Sequence, residues 1–145
     1  MMKQLPITEK TLVLRTDFSD DKAWSLICHT ISTPEEYDES TKFKASVEFL
    51  SDPAFRNMEK DEILSLIADE KRHPVIFVVD AITIKQADHP ILCIDLMDEV
   101  GKDFRVVPSE LNGIENNLSV GNFGFEELAE LVDEDGVFRG IEADF

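Results

Sequence analysis

Val75-Ile-Phe-Val-Val79, followed by Asp80, is the stretch of this 145-residue sequence that decides its fold. Five consecutive apolar residues are typical of a strand that is covered on both faces. The preceding His73-Pro74 ends any helix before the run, since proline cannot continue one. Strands buried on both faces lie in sheets that carry helices on each side, so this stretch predicts the central strand of an α/β fold.

The elements before this strand alternate between strand and helix. Ser19-Asp20-Asp21 supplies an N-cap and an acidic first turn, and apolar residues then recur every three or four positions up to Ser32. Trp24, Ile27 and Cys28 are expected on the buried face of this helix. The predicted elements are a strand from Thr11 to Phe18, the helix that ends at Ser32, an alternating strand from Phe43 to Phe49, and a helix from Met58 to Ala68.

The elements after it predict a hairpin and further helices. Two apolar runs flank Gly101, a residue suited to a tight turn. The predicted elements are strands Ile91–Leu96 and Phe104–Val107, helices Ser109–Leu118 and Phe125–Val132, and a short strand or extended tail from Val137 to Ile141. This order predicts one α/β domain over residues 1–145: a mixed β-sheet with parallel crossovers and an antiparallel hairpin, flanked by helices.

Composition restricts the class of protein. With 43% apolar residues and ten phenylalanines, a chain of this length can bury a core of its own. The first residues, MMKQLPITEK, lack an apolar leader core, and no stretch approaches the ~20 apolar residues of a membrane span, which leads us to expect a soluble cytoplasmic protein. Cys28 and Cys93 lie 65 positions apart within apolar patterns, so we expect reduced core residues.

The formal charge of −17 limits the possible partners. Residues 109–145 contain ten acidic side chains and one basic one, so over half of the net charge lies in the last quarter of the chain. A field of this sign repels phosphates and anionic lipid and attracts basic protein surfaces. The charge therefore argues against nucleic-acid and membrane partners and favours a basic protein partner.

Motifs for cofactor or catalytic chemistry are incomplete. All six glycines lie beyond residue 100, so the early strand-to-helix turns cannot form a glycine-rich phosphate loop. The segment from Asp133 to Glu142 resembles part of a calcium loop, but Leu131 stands at the first ligand position, and a turn at Asp135-Gly136 is the expected structure. No histidine has metal-ligand spacing. We predict no cofactor, no metal site and no catalytic residue.

Four aspartates leave an enzymatic alternative open. Asp17, Asp80, Asp95 and Asp98 fall at or near the ends of predicted strands. If Asp17 and Asp80 end adjacent parallel strands, they share one sheet edge, and carboxylates converging there could hold Mg²⁺. The ordinary interpretation of such residues is structural, as helix N-caps and Asx-turns.

The acidic residues near the C-terminus form the predicted partner surface. Three are expected on a helix and three in the turn after it, with Arg139 the only base in the last 37 residues. Together they are expected to form one negative patch that steers a basic partner. The set comprises Glu126, Glu127, Glu130, Asp133, Glu134 and Asp135.

Several blocks of the sequence resemble an uncharacterised bacterial family of small acidic proteins, a domain of unknown function. The blocks include Leu14–Phe18, Asp52–Phe55, Arg72–Pro74, Phe104–Pro108, Ile114–Ser119 and Asp133–Gly140. The resemblance covers nearly the whole chain and implies a stand-alone domain, and it brings no activity, cofactor or catalytic residue with it. It marks as family-pattern positions Asp17, Glu115, Asn116, Asn117, Asn122, Phe125 and Arg139. The sequence departs from the pattern at Gly124, where the family has an acidic residue.

Two hypotheses of function follow. The first is a non-catalytic domain that presents an acidic surface to a basic protein, as immunity proteins and inhibitors do. The alternative is a divalent-metal-dependent enzyme that uses the strand-end aspartates. A structural or regulatory subunit of a larger assembly is a third class, which sequence does not separate from the first.

Overall fold

The computed structural model describes residues 10–32, 47–67, 73–97, 99–121 and 124–140. They form an α/β fold with a mixed six-stranded sheet, as the sequence predicts. The strands are β1 Thr11–Arg15, β2 Val47–Leu50, β3 Val75–Val79, β4 Ile91–Asp95, β5 Asp103–Val106 and β6 Val137–Phe138. The helices are α1 Asp21–Ser32, α2 Lys60–Ser65, α3 Ala81–Lys85, α4 Leu111–Val120 and α5 Phe125–Ala129, and short 3₁₀ turns cover Pro53–Phe55 and Pro108–Glu110.

The sheet has the strand order β2-β1-β3-β4-β5-β6. The β1 strand pairs in parallel with both β2 and β3, and β5 pairs in parallel with β6. The β4 strand is antiparallel to both of its neighbours, with Val75 opposite Asp95 at one end of β3 and Val78 opposite Leu92 near the other. The carboxyl ends of β1, β2, β3, β5 and β6 therefore lie at one edge of the sheet, and that of β4 lies at the opposite edge.

The core lies on both faces of the sheet. One face packs against α1, α4 and α5 around Phe77, Ile27 and Leu128. The other packs against α2 and the Pro53–Phe55 turn around Ile76 and Ile63. All five residues of β3 are buried, which confirms the central, doubly covered strand predicted from its apolar run.

Helix α1 begins where its cap residues predict. The Asp20 Oδ1 atom accepts a hydrogen bond from the Ala23 N–H, which satisfies one of the free donors of the first turn. Its buried residues are Ala23, Ile27 and Ile31, while Trp24 and Cys28 are half-buried. Trp24 packs edge-on to Phe49, with ring centroids 6.0 Å apart.

Some predicted elements differ in their bounds. Phe43 to Ser46 of the alternating strand lie outside the described residues, and β2 runs over Val47–Leu50. Gly101 has φ +97° in the hairpin between β4 and β5, as predicted. The turn at Asp135-Gly136 is also present, with Gly136 at φ +81° and the Asp135 Oδ1 atom accepting from the Val137 N–H. Helix α3 has no counterpart among the predicted elements.

No helix in the described part of the chain has the length and apolar character needed to cross a bilayer.

Candidate functional site

A crevice opens at the sheet edge where β1 and β3 end. The chain passes from β1 outward to β2 and then returns to the other side of β1 to form β3. Such a reversal is a topological switch point, and ligands of open α/β sheets bind outside the strand ends there. The crevice has a volume of about 380 Å³, in the size range of ligand pockets.

The lining of the crevice combines apolar side chains, which we call its floor, with polar side chains, which we call its rim. The floor comes from β3, β4, α2, α3 and the segment before α2: Met58, Ile63, Val78, Ile82 and Leu92. Ile82 is 45% exposed, although most of its apolar neighbours are covered. The polar residues of the rim are Thr16, Asp17, Asn57, Glu59, Lys60 and Asp80. This lining can hold a ligand that has both an apolar body and a polar end.

Asp17 is the most buried carboxylate of the rim, with 9% of its surface exposed. Its Oδ1 atom accepts from the Ser19 N–H at 2.9 Å and from the Ser19 hydroxyl. This Asx-turn is the structural role expected of a strand-end aspartate. The Oδ2 atom accepts no hydrogen bond from a described residue.

Arg15 fixes the loop that carries Asp17. Its guanidinium donates to the Asp17 carbonyl at 2.9 Å and to the Asp21 carboxylate at 2.7 Å. It also lies over the Phe18 ring, 4.4 Å from the centroid, in cation–π geometry. Arg15 is 4% exposed, and these contacts compensate for burying its charge.

Asp80, which follows β3, is held by an arginine from β5, two strands away in the sheet. Arg105 donates to both carboxylate oxygens, at 3.0 and 2.8 Å, and also to the Pro90 carbonyl. Asp80 caps α3 as well, since its Oδ1 atom accepts from the Thr83 N–H. Partial burial alone would raise the pKa of Asp80, but hydrogen bonding and charge from Arg105 and the hydrogen bonds of Thr83 outweigh it and hold the pKa below its usual value.

Lys60 is the one cation among the described lining residues, and its charge is already engaged. Its ammonium donates to the Gly101 carbonyl and to the Asp103 carboxylate, both at 2.9 Å. Glu59 and the Asn57 side chain make no such contact with a described residue. The crevice therefore keeps a negative character and favours a cation over an anion.

The four strand-end aspartates do not come together. Asp17 and Asp80 share one sheet edge, but Asp95 lies opposite Val75 at the other edge because β4 is antiparallel to β3. Asp95 accepts the N–H groups of Met97 and Glu99 there. Asp98 lies outside the described residues. Over the described ranges, no three His, Cys, Asp or Glu side chains form a group that could hold a metal ion.

The predicted partner surface is a second, separate feature, which we call the C-terminal acidic surface. Its six residues are all exposed: Glu126, Glu127, Glu130, Asp133, Glu134 and Asp135. Helix α5 is shorter than predicted, so Glu130 lies just after it. Glu127 accepts the Gly124 N–H, which places Gly124, the departure from the family pattern, at the N-cap of α5.

Arg139 neutralises more of this surface than the sequence indicates. Its guanidinium contacts Asp133 at 2.9 Å, Asp135 at 2.7 Å and Asp88 at 2.7 Å. The Asp135 pair lowers the pKa of that carboxyl, and the three carboxylates raise the pKa of Arg139. The negative patch is therefore weaker at Asp133 and Asp135 than the sequence predicts. Glu130 and Glu134 pair with no described cation.

The family-pattern positions do not form one site. Glu115 is buried and accepts the hydroxyls of Thr11 and Ser119, at 3.1 and 2.7 Å. Phe125 is a core residue whose ring centroid lies 5.0 Å from that of Phe104. Asn116 and Asn117 are half-buried on α4, and Asn122 lies outside the described residues. Of the described members of this set, Asp17 lines the crevice and Arg139 contacts the acidic surface.

Sequence reasoning missed the two arginines that shape the crevice. Arg15 and Arg105 each end or interrupt an apolar strand, and a long cation inside a buried strand needs a carboxylate partner. The presence of these two arginines in apolar strands can be read from the sequence. Their partners cannot, because Asp80 and Arg105 lie 25 positions apart.

Comparison with known proteins assigns no activity. A family model described as a domain of unknown function matches residues 10–141. No curated protein matches the chain.

Proposed function

The chain belongs to the family described as Domain of unknown function (DUF6924), and we propose that this member is a non-catalytic binding domain for a basic protein partner. The C-terminal acidic surface would contact that partner, in the manner of an immunity protein or inhibitor. The proposal assigns no chemical step to the domain.

An exposed leucine within the acidic surface carries the proposal. Leu131 is 43% exposed, and it follows Glu130 and precedes Glu134 in the turn after α5. Interfaces commonly have an apolar centre inside a polar rim, and an exposed apolar side chain among carboxylates matches that arrangement.

Charge supports the same surface. Its six carboxylates meet two cations, Lys102 near Glu126 and Arg139, so they retain a formal charge of −4. Lys102 is exposed, and its contacts with Glu99 and Glu126 raise its pKa. Surface charges of this kind act mainly on the association rate of a complementary partner.

The first experiment identifies a partner and measures selectivity. Proteins cross-linked to the chain in cell extract are purified, and their binding is compared by surface plasmon resonance with that of lysozyme and cytochrome c, two basic proteins of unrelated fold. A true partner binds at least 100-fold more tightly than these two controls. Affinities that follow net charge alone across all basic proteins would overturn the proposal.

The second experiment locates the surface. Glu130→Lys combined with Glu134→Lys changes the two carboxylates that no described cation engages, and it is expected to slow association at 50 mM salt and to flatten the salt dependence. Glu48→Lys combined with Glu62→Lys is the matched control, because both residues are exposed and lie on β2 and α2. Both double variants alter net charge equally, so equal slowing would show a bulk charge effect.

A further inference from the structure

We propose that the crevice at the β1–β3 edge receives an arginine side chain of the basic partner. This inference rests on the proposed function and adds a specific anchoring contact to it. In this arrangement the aliphatic part of the arginine packs against the apolar floor, and its guanidinium binds the Asp17 carboxylate.

The lining matches the two parts of an arginine side chain. Val78, Ile82 and Leu92 supply an apolar wall against which three methylene groups can pack, as the stems of long cations do on apolar surfaces. The crevice volume of about 380 Å³ accommodates a single side chain with room for water.

Asp17 supplies the recognition element. It is nine-tenths buried, it lines the crevice, and its Oδ2 atom has no hydrogen-bond partner among the described residues. A guanidinium that donates to this oxygen would form a charge-assisted hydrogen bond, which is stronger than one between neutral groups. Arg15 and Ser19 already hold the loop in place, so binding needs little rearrangement.

The remaining rim groups select a guanidinium over other ligands. Glu59 and the Asn57 side-chain oxygen are acceptors that make no contact with described residues, and Lys60 is occupied by Asp103. Among the described lining residues, an anion would meet three carboxylates, one of which is paired with Arg105, and no cation other than the engaged Lys60. A guanidinium offers five donors in a planar fork and is more weakly hydrated than an ammonium, so it fits a partly apolar site that presents several acceptors.

Helix α3 connects the crevice to the C-terminal acidic surface. Ala81 and Ile82 at its start line the crevice, and Asp88, shortly after its end, is bound by Arg139. Arg139 in turn contacts Asp133 and Asp135 of the acidic surface. The two features are thus linked by one short element and direct ion pairs, which is the continuity needed for one partner to cover both.

The test is an NMR titration with N-acetyl-arginine amide as the probe and N-acetyl-citrulline amide as its neutral isostere. The arginine probe is expected to shift the backbone amides of Thr16, Asn57 and Ala81, and the citrulline probe is expected to bind at least tenfold more weakly. Asp17→Asn should weaken arginine binding about tenfold, the equivalent of ~1.4 kcal/mol. Ile82→Ser, at an exposed position, should weaken it by a smaller factor without affecting folding.

Glu134→Gln is the control, because this residue belongs to the acidic surface and not to the crevice lining. It should leave the probe affinity unchanged. Equal binding of arginine and citrulline, or unchanged arginine binding in both folded Asp17→Asn and Ile82→Ser, would overturn the inference.

The outcomes separate this inference from the proposed function. In one outcome, the Glu130 and Glu134 double variant slows the association of a protein partner while the arginine probe does not bind in the crevice. That combination of results overturns the crevice inference alone. A probe that binds in the crevice, together with the absence of any selective protein partner, overturns the proposed function and with it the assignment of the arginine to a partner.

Discussion

Replacing Arg105 by methionine tests the ion pair that fixes the start of α3. Arg105 donates to both oxygens of Asp80, and the two side chains are 17% and 24% exposed. Methionine keeps much of the apolar stem and removes the donors. The variant therefore leaves the Asp80 carboxylate and the Pro90 carbonyl without their arginine partner.

The size of the effect follows from this intermediate burial. Breaking a fully buried pair costs about 3–5 kcal/mol, whereas an exposed pair is worth about 0–1 kcal/mol. With roughly a fifth of each side chain exposed, we expect a loss of about 2–3 kcal/mol in the free energy of unfolding. For a chain of this length, that loss lowers Tm by about 4–12 °C.

Acid should remove the contribution of the pair. The pKa of Asp80 is lower in the folded state than in the unfolded chain, so its stabilisation is complete above the unfolded value of about 3.9. It is lost as pH falls through the lowered folded pKa. A double-mutant cycle with Asp80→Asn, which retains a capping side chain, measures this coupling by urea unfolding at pH 7 and at steps from pH 5 to pH 2.

Arg139→Met provides the control. It removes an arginine that contacts three exposed carboxylates, and its effect on stability should be much smaller than that of Arg105→Met. A coupling between Asp80 and Arg105 below about 0.5 kcal/mol at pH 7 would refute the reasoning, because it would fall within the additivity expected of independent sites. A coupling that persists unchanged to pH 2 would refute the pKa argument.

Three further predictions concern local environments. Burial raises the pKa of the Cys28 thiol to about 11 and that of the Cys93 thiol well above its usual value. Iodoacetamide at pH 7.5 should therefore label Cys28 slowly in the native chain and Cys93 only after unfolding, and mass spectrometry measures both. Gly101→Ala should lower the free energy of unfolding in urea by about 1–2 kcal/mol, because φ at this position is +97°. Gly113→Ala, in open space on α4, should raise it by about 0.5–1 kcal/mol, and equal effects of the two variants would contradict the backbone argument. Trp24 fluorescence should be blue-shifted relative to the denatured chain, since the ring packs against the core, and an unshifted native spectrum would exclude that packing.

The elements that sequence predicts best are those with a local physical cause. The apolar run of β3 and the Asp20 cap of α1 each determine a boundary from adjacent residues. Helix α3 escapes prediction because Ala81-Ile-Thr-Ile-Lys85 alternates apolar and polar side chains like a strand. Its capping box between Asp80 and Thr83 overrides that pattern.

The site is less predictable, because strand direction and distant partners decide it. The sequence predicts that Asp17 and Asp80 share one edge if their strands are adjacent and parallel, and β1 and β3 meet that condition. It does not place Asp95, whose position depends on the reversal of β4. The pairing of Arg139 with Asp135 is an i,i+4 relation that was visible in the sequence. Its contact with Asp88, 51 positions away, was not.

The position of β1 between β2 and β3 has a consequence for the order of folding. Val13 pairs with Phe77, so β1, the first strand of the described residues, obtains this neighbour only after more than sixty residues have been added. The β4–β5 hairpin, by contrast, closes a short loop around Gly101 and can form early. During synthesis the edge of β1 that pairs with β3 therefore stays unpaired until β3 has been made. We expect the pairing of β1 with β3 to set the rate of folding.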